Sequence, residues 1–131
     1  MTSAIPQAVV AALDIVVFTA GGYRIGVEAS QVRASHPMPP EGGATPTEFL
    51  LGLHAAAATG GEQVLVVKHA GADREVVVQG PVELHSVAAT AIHPLPPLVA
   101  ARTQLRGLRA LALERQRLTL LVDLRSLLGA C

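Results

Sequence analysis

Aromatic residues are scarce in this 131-residue chain. They make up 2% of it, and Trp is missing altogether. Proteins that bind single-stranded nucleic acid stack the bases on several aromatic side chains, so this composition disfavours that function. The net charge is zero, with 10 basic and 10 acidic residues. No overall positive field is therefore available to attract DNA or an anionic membrane.

Cysteine and long apolar runs are also in short supply. The single cysteine, Cys131, cannot form a disulfide within the chain, which favours a reducing compartment. No uncharged apolar stretch approaches the roughly 18 residues that a membrane-spanning helix needs. The apolar run Ala8–Leu13 is too short for a secretory signal and has no basic segment before it. We therefore expect a cytoplasmic protein with no direct membrane insertion.

Residues that carry chemistry are not clustered in the sequence. The five histidines lack the spacing of zinc ligands, and no cysteine lies beside them. The acidic residues are scattered, and no serine lies in a nucleophile-elbow pattern. Gly21, Gly22 and Gly26 do not have the spacing of a phosphate-binding loop. We expect no catalytic residue, no metal site and no cofactor, and hence a protein that is not an enzyme.

Apolar residues, by contrast, make up 50% of the chain, enough for one domain with a buried core. β-Branched runs on either side of turn residues predict two hairpins, over Asp14–Val27 and Val64–Gln79. Gly80-Pro81 is predicted to end the second hairpin. A short strand or turn is predicted over Val82–Val87.

The remaining segments are short as well. We interpret the apolar run Phe49–Leu53 as a strand. Leu105–Leu111 and Leu118–Val122 are predicted to pair through a turn at Glu114–Arg117. Leucines at helical spacing predict a short amphipathic helix from Leu124 onward. Many short strands separated by turns favour a sandwich or small barrels.

Two larger patterns run along the chain. A hairpin followed by a proline-rich loop occurs twice, which is consistent with an internal duplication. Residues 1–100 carry four basic and eight acidic residues, a net charge of −4, whereas residues 101–131 carry six arginines and two acidic residues, a net charge of +4. Solvated faces account for this asymmetry, and a basic patch for an acidic protein partner is the alternative.

Several motifs together resemble a known family. Phe18–Val27, followed by Gln31-Val32-Arg33, resembles the opening of a CheW-like domain. Val76–Leu84 resembles the central segment of its second half, and Ile92–Pro97 resembles the proline stretch that follows. The closing strands and helix of the family resemble Leu105–Gly107 with Leu118–Leu128. The order and spacing of the motifs carry the resemblance, which covers most of the chain.

The resemblance implies an all-β fold of two small SH3-like barrel subdomains with a short C-terminal helix. The subdomains would span approximately residues 14–63 and 64–131. The family usually carries two further strands before Val64–Val67, and here the residues around Ala55–Ala58 stand in their place. The first barrel is therefore expected to be incomplete, as in strand-depleted, FrzB-like members. The alanine run is expected to cover the open edge as a helical turn.

The function that the resemblance implies is that of a non-catalytic adaptor in a bacterial chemosensory array. Its partner would be the cytoplasmic signalling domain of a chemoreceptor, held in an apolar groove between the barrels. Weak or absent binding is expected for a CheA-type histidine kinase or a second CheW-like protein, because the arginine-bearing segment of the first barrel has no counterpart here. The groove residues carried over from the family are Val32, Ala34, Pro81, Leu84 and Gly107.

A different reading of the same strands remains open at this stage. The chain would then be a small β-barrel module that binds a ligand or nucleic acid. The arginine-rich C-terminal segment favours nucleic acid, but it lacks lysine and interleaved aromatic residues. A pull-down with receptor signalling domains separates the adaptor from this alternative, and salt-dependent DNA binding tests the alternative itself.

Overall fold

The chain folds into short strands joined by tight turns. A computed structural model describes residues 11–37, 45–53, 62–70, 72–98 and 105–129. The short 3-10 turns Ala29–Gln31 and Ala89–Ala91 and the helices α1 (Thr47–Leu51) and α2 (Leu124–Gly129) accompany the strands. The strands are β1 (Ala12–Ala20), β2 (Tyr23–Glu28), β3 (Val32–Pro37), β4 (Thr45–Pro46), β5 (Glu62–Val67), β6 (Arg74–Ala88), β7 (Ile92–Pro94), β8 (Leu108–Glu114) and β9 (Arg117–Val122).

The predicted hairpins are confirmed. β1 and β2 pair antiparallel around Gly21 and Gly22, whose φ angles are +58° and +86°. Glycine adopts this left-handed conformation at little cost, which suits a two-residue turn. β5 and the first half of β6 form the second hairpin. β8 and β9 pair around Arg115 and Gln116, within the turn predicted from the sequence.

The prediction that Gly80-Pro81 ends a strand is wrong. β6 continues through this pair for 15 residues. Its first half pairs with β5 and its second half with β1. β1 shows a register shift between Val17 and Thr19, opposite the place where β6 changes partner. A bulge of this kind bends a strand and increases its twist, so that one strand can serve two parts of a curved sheet.

The strands form one continuous sheet in the order β3-β5-β6-β1-β2-β9-β8-β7. Two short parallel ladders complete it. β2 meets β9, with Ile25-Gly26 opposite Leu120-Leu121. β4 meets β6, with Thr45-Pro46 opposite Val76-Val77. Because both faces of the central strands are buried, the sheet encloses two cores rather than one.

β1 shows most clearly how two cores arise from one sheet. Successive side chains of a strand point to opposite faces, and β1 is apolar on both. Val16, Phe18 and Ala20 pack into the first core, whereas Ile15 and Val17 pack into the second. The first core also draws Leu65, Val76 and Leu124 from beyond residue 63. Each barrel therefore contains strands from both halves of the chain.

The two halves also share local structure. Each 3-10 turn directly follows the last residue of a strand, Glu28 of β2 or Ala88 of β6. Each is closed by a backbone N–H, of Val32 or Ile92, that donates to the carbonyl of the first turn residue. A short strand, β3 or β7, then runs to a proline. The repeated order supports the internal duplication predicted from the sequence.

The first barrel is incomplete in the part of the chain that the structure describes. Between β3 and β5, the described residues include one strand, β4, which is two residues long. The strand predicted over Phe49–Leu53 is wrong, because residues 47–51 form α1. A short apolar run is compatible with either element. The predicted covering turn at Ala55–Ala58 lies outside the described residues.

α1 and α2 both pack against the first core. Leu51 and Leu124 are fully buried, and Leu50 and Leu128 are nearly so. The buried hydroxyl of Thr47 donates a hydrogen bond to the carbonyl of Val77, which joins α1 to β6. The terminal helix predicted from leucine spacing is confirmed, and its apolar side faces the core.

Candidate functional site

An apolar groove of about 290 Å³ lies between β3 and the second half of β6. Val16 and Leu65 form its buried floor. Val32 and Ala34 line one side, and Leu84 lines the other. Leu84 is 73% exposed, the largest exposed fraction among the large hydrophobic side chains that the structure describes. The groove thus offers an apolar surface to a partner.

The 3-10 turn Ala29–Gln31 places the β3 side of the groove. Its Gln31 carbonyl accepts a hydrogen bond of 2.8 Å from the backbone N–H of Lys68, which fixes the start of β3 against β5. A register shift then lies between Val32 and Ala34. Val32 packs against the first core, while Ala34 stays exposed on the strand. Because Val32 and Ala34 oppose the adjacent residues Val67 and Val66, this edge strand has the pattern of a β-bulge beside the groove.

An ion pair and a histidine–glutamate contact lie along this edge strand. Arg33, between the two lining residues, bonds Asp73 with an Nε–Oδ2 distance of 2.7 Å. His36 Nε2 lies 3.7 Å from a Glu75 carboxylate oxygen. The edge strand therefore has charged side chains beside its unpaired backbone groups, and such charges discourage uncontrolled pairing with other strands.

β6 supplies the opposite side of the groove. Leu84 lies opposite Val16 in the β1–β6 ladder, so the same ladder supplies one floor residue and one wall residue. Val82 and Glu83 also line the groove. Pro81 directly precedes them, at the point where β6 changes partner. Three residues predicted from the family thus meet in one groove, and a fourth adjoins it.

Gly107 lies in a different place. It precedes β8, where its carbonyl accepts a hydrogen bond of 2.9 Å from the N–H of Asp123. A Cβ atom at this position would lie 2.9 Å from Cδ1 of Leu127 on α2. Gly107 has a φ of +75°, so it permits both the turn and the close approach of the helix. The structure places it beside α2, and its predicted role in receptor binding stays a prediction.

Sequence reasoning did not identify the groove floor. Val16 and Leu65 are ordinary apolar strand residues in the sequence, and only the pairing of β1, β5 and β6 brings them together. Ala29 and Val82 were missed for the same reason. The signal that could have identified Val16 is the continuous apolar run in β1, because consecutive apolar residues indicate burial on both faces of a strand.

The polar groups of the described residues show no metal-ligating cluster of three or more His, Cys, Asp and Glu side chains. The closest acid–histidine pair joins His85 Nε2 to Glu114 Oε1 at 2.7 Å, partly buried between β6 and the end of β8. Across the described ranges, none of the helices has the length and apolar character to cross a membrane.

Comparison with known proteins finds a solved structure with a similar fold. No family model matches the chain, and no curated protein matches it. Among solved structures, it is similar to the scaffolding protein TtCheW from Thermoanaerobacter tengcongensis, with a TM-score of 0.69 and 16% sequence identity. The match covers 89% of this chain and 92% of that one. The chain therefore has the all-β, CheW-like fold that its sequence motifs predict.

Proposed function

We propose that this protein is a non-catalytic adaptor of a bacterial chemosensory array and that its groove binds the signalling tip of a chemoreceptor. The fold supports a scaffold role, since one of its structural neighbours is a scaffolding protein. The observation that carries the proposal is the exposed apolar groove lined by Val32, Ala34 and Leu84. Such an adaptor works at arrays in the cytoplasm.

The shape and chemistry of the groove suit a helical partner. A receptor tip is a helical hairpin, and a helix bound in a groove presents apolar side chains at i, i+3, i+4 and i+7. The floor and both walls supply apolar contact, while Arg33 and Glu83 at the border supply charges of both signs. Covering a leucine as exposed as Leu84 contributes about 1.5–3 kcal/mol to binding.

Direct coupling to a CheA-type kinase, or to a second CheW-like protein, is weak or absent in this proposal. The first barrel has one two-residue strand between β3 and β5 among its described residues, so it offers little surface for such a contact. The second barrel keeps the hairpin of β8 and β9. The protein would bind receptors beside a complete coupling protein rather than replace it.

Leu84→Asp tests the groove. The side chain is largely exposed, so the variant should fold as the parent does. We expect receptor affinity to fall about tenfold to 100-fold, which corresponds to the loss of one leucine contact. The measurement is calorimetric titration with a purified receptor signalling domain.

Leu118→Asp is the matched control, since Leu118 is 48% exposed on β9 and does not line the groove. It should bind the receptor normally. Val32→Asp should abolish receptor binding. Because Val32 also contacts the core, circular dichroism must first show that this variant is folded. A folded Leu84→Asp protein with unchanged affinity would contradict the proposal.

A further inference from the structure

A second cavity, of about 410 Å³, opens at one end of the second barrel. Its apolar lining includes Leu13, Ile92, Ala110 and Leu121, above the fully buried Ile15. The volume lies within the range of small-molecule sites, which are concave and mostly apolar with a few polar groups. The cavity has the size and lining of a ligand site. It is separate from the receptor groove, because the two have no lining residue in common.

The cavity and the groove lie on either side of the same 3-10 turn. Ala29 lines the groove, whereas Gln31 lines the cavity, together with Glu28 just before the turn. Apart from the turn, the two sites share β1, which supplies Val16 to the groove and Leu13 and Ile15 to the cavity. The cavity lies among β1, β2, β7, β8 and β9, and a ligand there would not occupy the space of a receptor helix.

The polar groups around the cavity are mainly hydrogen-bond acceptors. The Asp123 carboxylate already accepts bonds from Arg109 at 3.5 Å and from the Ser126 N–H at 3.3 Å. The Gln31 side-chain oxygen is buried and has no donor among the described residues. The exposed Glu28 carboxylate accepts a long bond of 3.4 Å from Ser30.

The excess of hydrogen-bond acceptors over donors indicates which class of ligand the cavity would bind. The Gln31 oxygen is closed off from solvent, so the acceptors that a ligand can reach are the carboxylates of Glu28 and Asp123. Glu28 and Asp123 give the rim two negative charges against the single positive charge of Arg109. An anionic ligand would be repelled, and a neutral apolar ligand would leave the negative charge of the rim without a partner.

We propose that this cavity binds a small organic cation, an ammonium group on an apolar body. The apolar part lies against Ile15, Ala110 and Leu121, and the ammonium group donates to the Glu28 carboxylate at the rim. Ammonium carries three N–H donors and no acceptor, which matches the surplus of acceptors at the rim. The proposal concerns a site apart from the receptor groove and does not depend on receptor binding.

Hexylammonium is the probe, with hexanol and hexanoate as isosteric controls. Titration of the full-length protein, followed by NMR of methyl signals from Ile15, Ala110 and Leu121, should show saturable binding of hexylammonium. Its affinity should exceed that of hexanoate by at least about tenfold, because the carboxylate faces the acidic rim. Hexanoate binding as tight as hexylammonium, or shifts that never saturate, would overturn the proposal.

Variants locate the site. Ala110→Leu fills the cavity and should abolish binding. Glu28→Gln keeps the shape and should weaken hexylammonium about twofold to fivefold, as expected for one solvent-exposed charge pair. Glu83→Gln, an exposed acid outside the cavity, is its matched control and should bind normally. If Ala110→Leu does not fold, the Glu28 comparison decides, and equal affinities there refute the site.

Leu84→Asp separates the two proposals. It should lose receptor binding and keep hexylammonium binding, since Leu84 does not line the cavity. A protein that binds the receptor but not the cation refutes only the cavity proposal. A protein that binds the cation but not the receptor refutes only the receptor proposal.

Discussion

Gly26 shows how tightly single residues are constrained in this fold. A Cβ atom there would lie 2.9 Å from Cδ1 of Ile15, and 3.0 Å from both Cδ2 of Leu121 and Cγ2 of Thr119. These are shorter than ordinary contacts, and all three neighbours are buried. The glycine of the Tyr23–Val27 motif is therefore required by close packing in the second barrel, because its φ is not positive.

Gly26→Ala should lower the free energy of unfolding by about 1–3 kcal/mol, the usual cost of an extra methyl group in a packed core. Chemical denaturation measures the change. Ile15→Val removes the nearest methyl group, so the double variant should be more stable than the sum of the two single effects predicts. Simple additivity would show that the close contact with Ile15 is not the cause.

At the scale of elements, the sequence predicts the hairpins and the terminal helix, because turn residues and apolar spacing are local signals. It does not predict β3, since the exposed Arg33 and Pro37 are typical of an edge and not of a buried strand. It mistakes α1 for a strand, because a five-residue apolar run has no reliable period. β6 continues through Gly80-Pro81 because its partners on both sides hold it extended.

The same distinction applies to the groove. Val32, Ala34 and Leu84 could be named from family motifs, because those motifs lie on the two strands that face each other. The floor could not be named, since it depends on pairing between distant strands. Gly107 was grouped with them by resemblance alone, whereas its carbonyl and its missing side chain serve the contact with α2.

α2 should stabilise the whole fold because it covers the first core. Leu124 is fully buried in the first core. Leu124→Ala should lower the free energy of unfolding by about 2–5 kcal/mol, and the neighbouring exposed Arg125→Ala should change it by less than about 0.5 kcal/mol. Thermal or urea denaturation measures both. Equal effects from the two variants would mean that α2 does not cover the core.

At the scale of the whole molecule, the two barrels cannot be separated by cutting the chain once. β1 contributes Phe18 to the first core and Ile15 to the second, and α2 follows the second barrel but covers the first. The core of the first barrel is filled by elements from the second half of the chain, although its described residues include only the two-residue β4 between β3 and β5. These elements fill the core, but they do not add the outer surface that further strands would provide.

The outer surface of the first barrel is the basis for predicting weak kinase binding. A standard protein interface buries about 800 Å² on each partner, roughly a tenth of a small protein's surface. Between β3 and β5 the described residues offer one two-residue strand, and β3 is bordered by the Arg33–Asp73 and His36–Glu75 pairs. A regulatory domain that docks on this side of β3 would meet polar side chains that already have partners.

Calorimetric titration with the regulatory domain of the cognate CheA-type kinase should therefore give an affinity at least about tenfold below that of a complete coupling protein. The same preparation should bind the receptor signalling domain, which shows that it is folded and active. Adding the complete coupling protein should bring receptor and kinase together in one complex, whereas this chain alone should not. Kinase binding as tight as that of the complete protein would contradict this prediction.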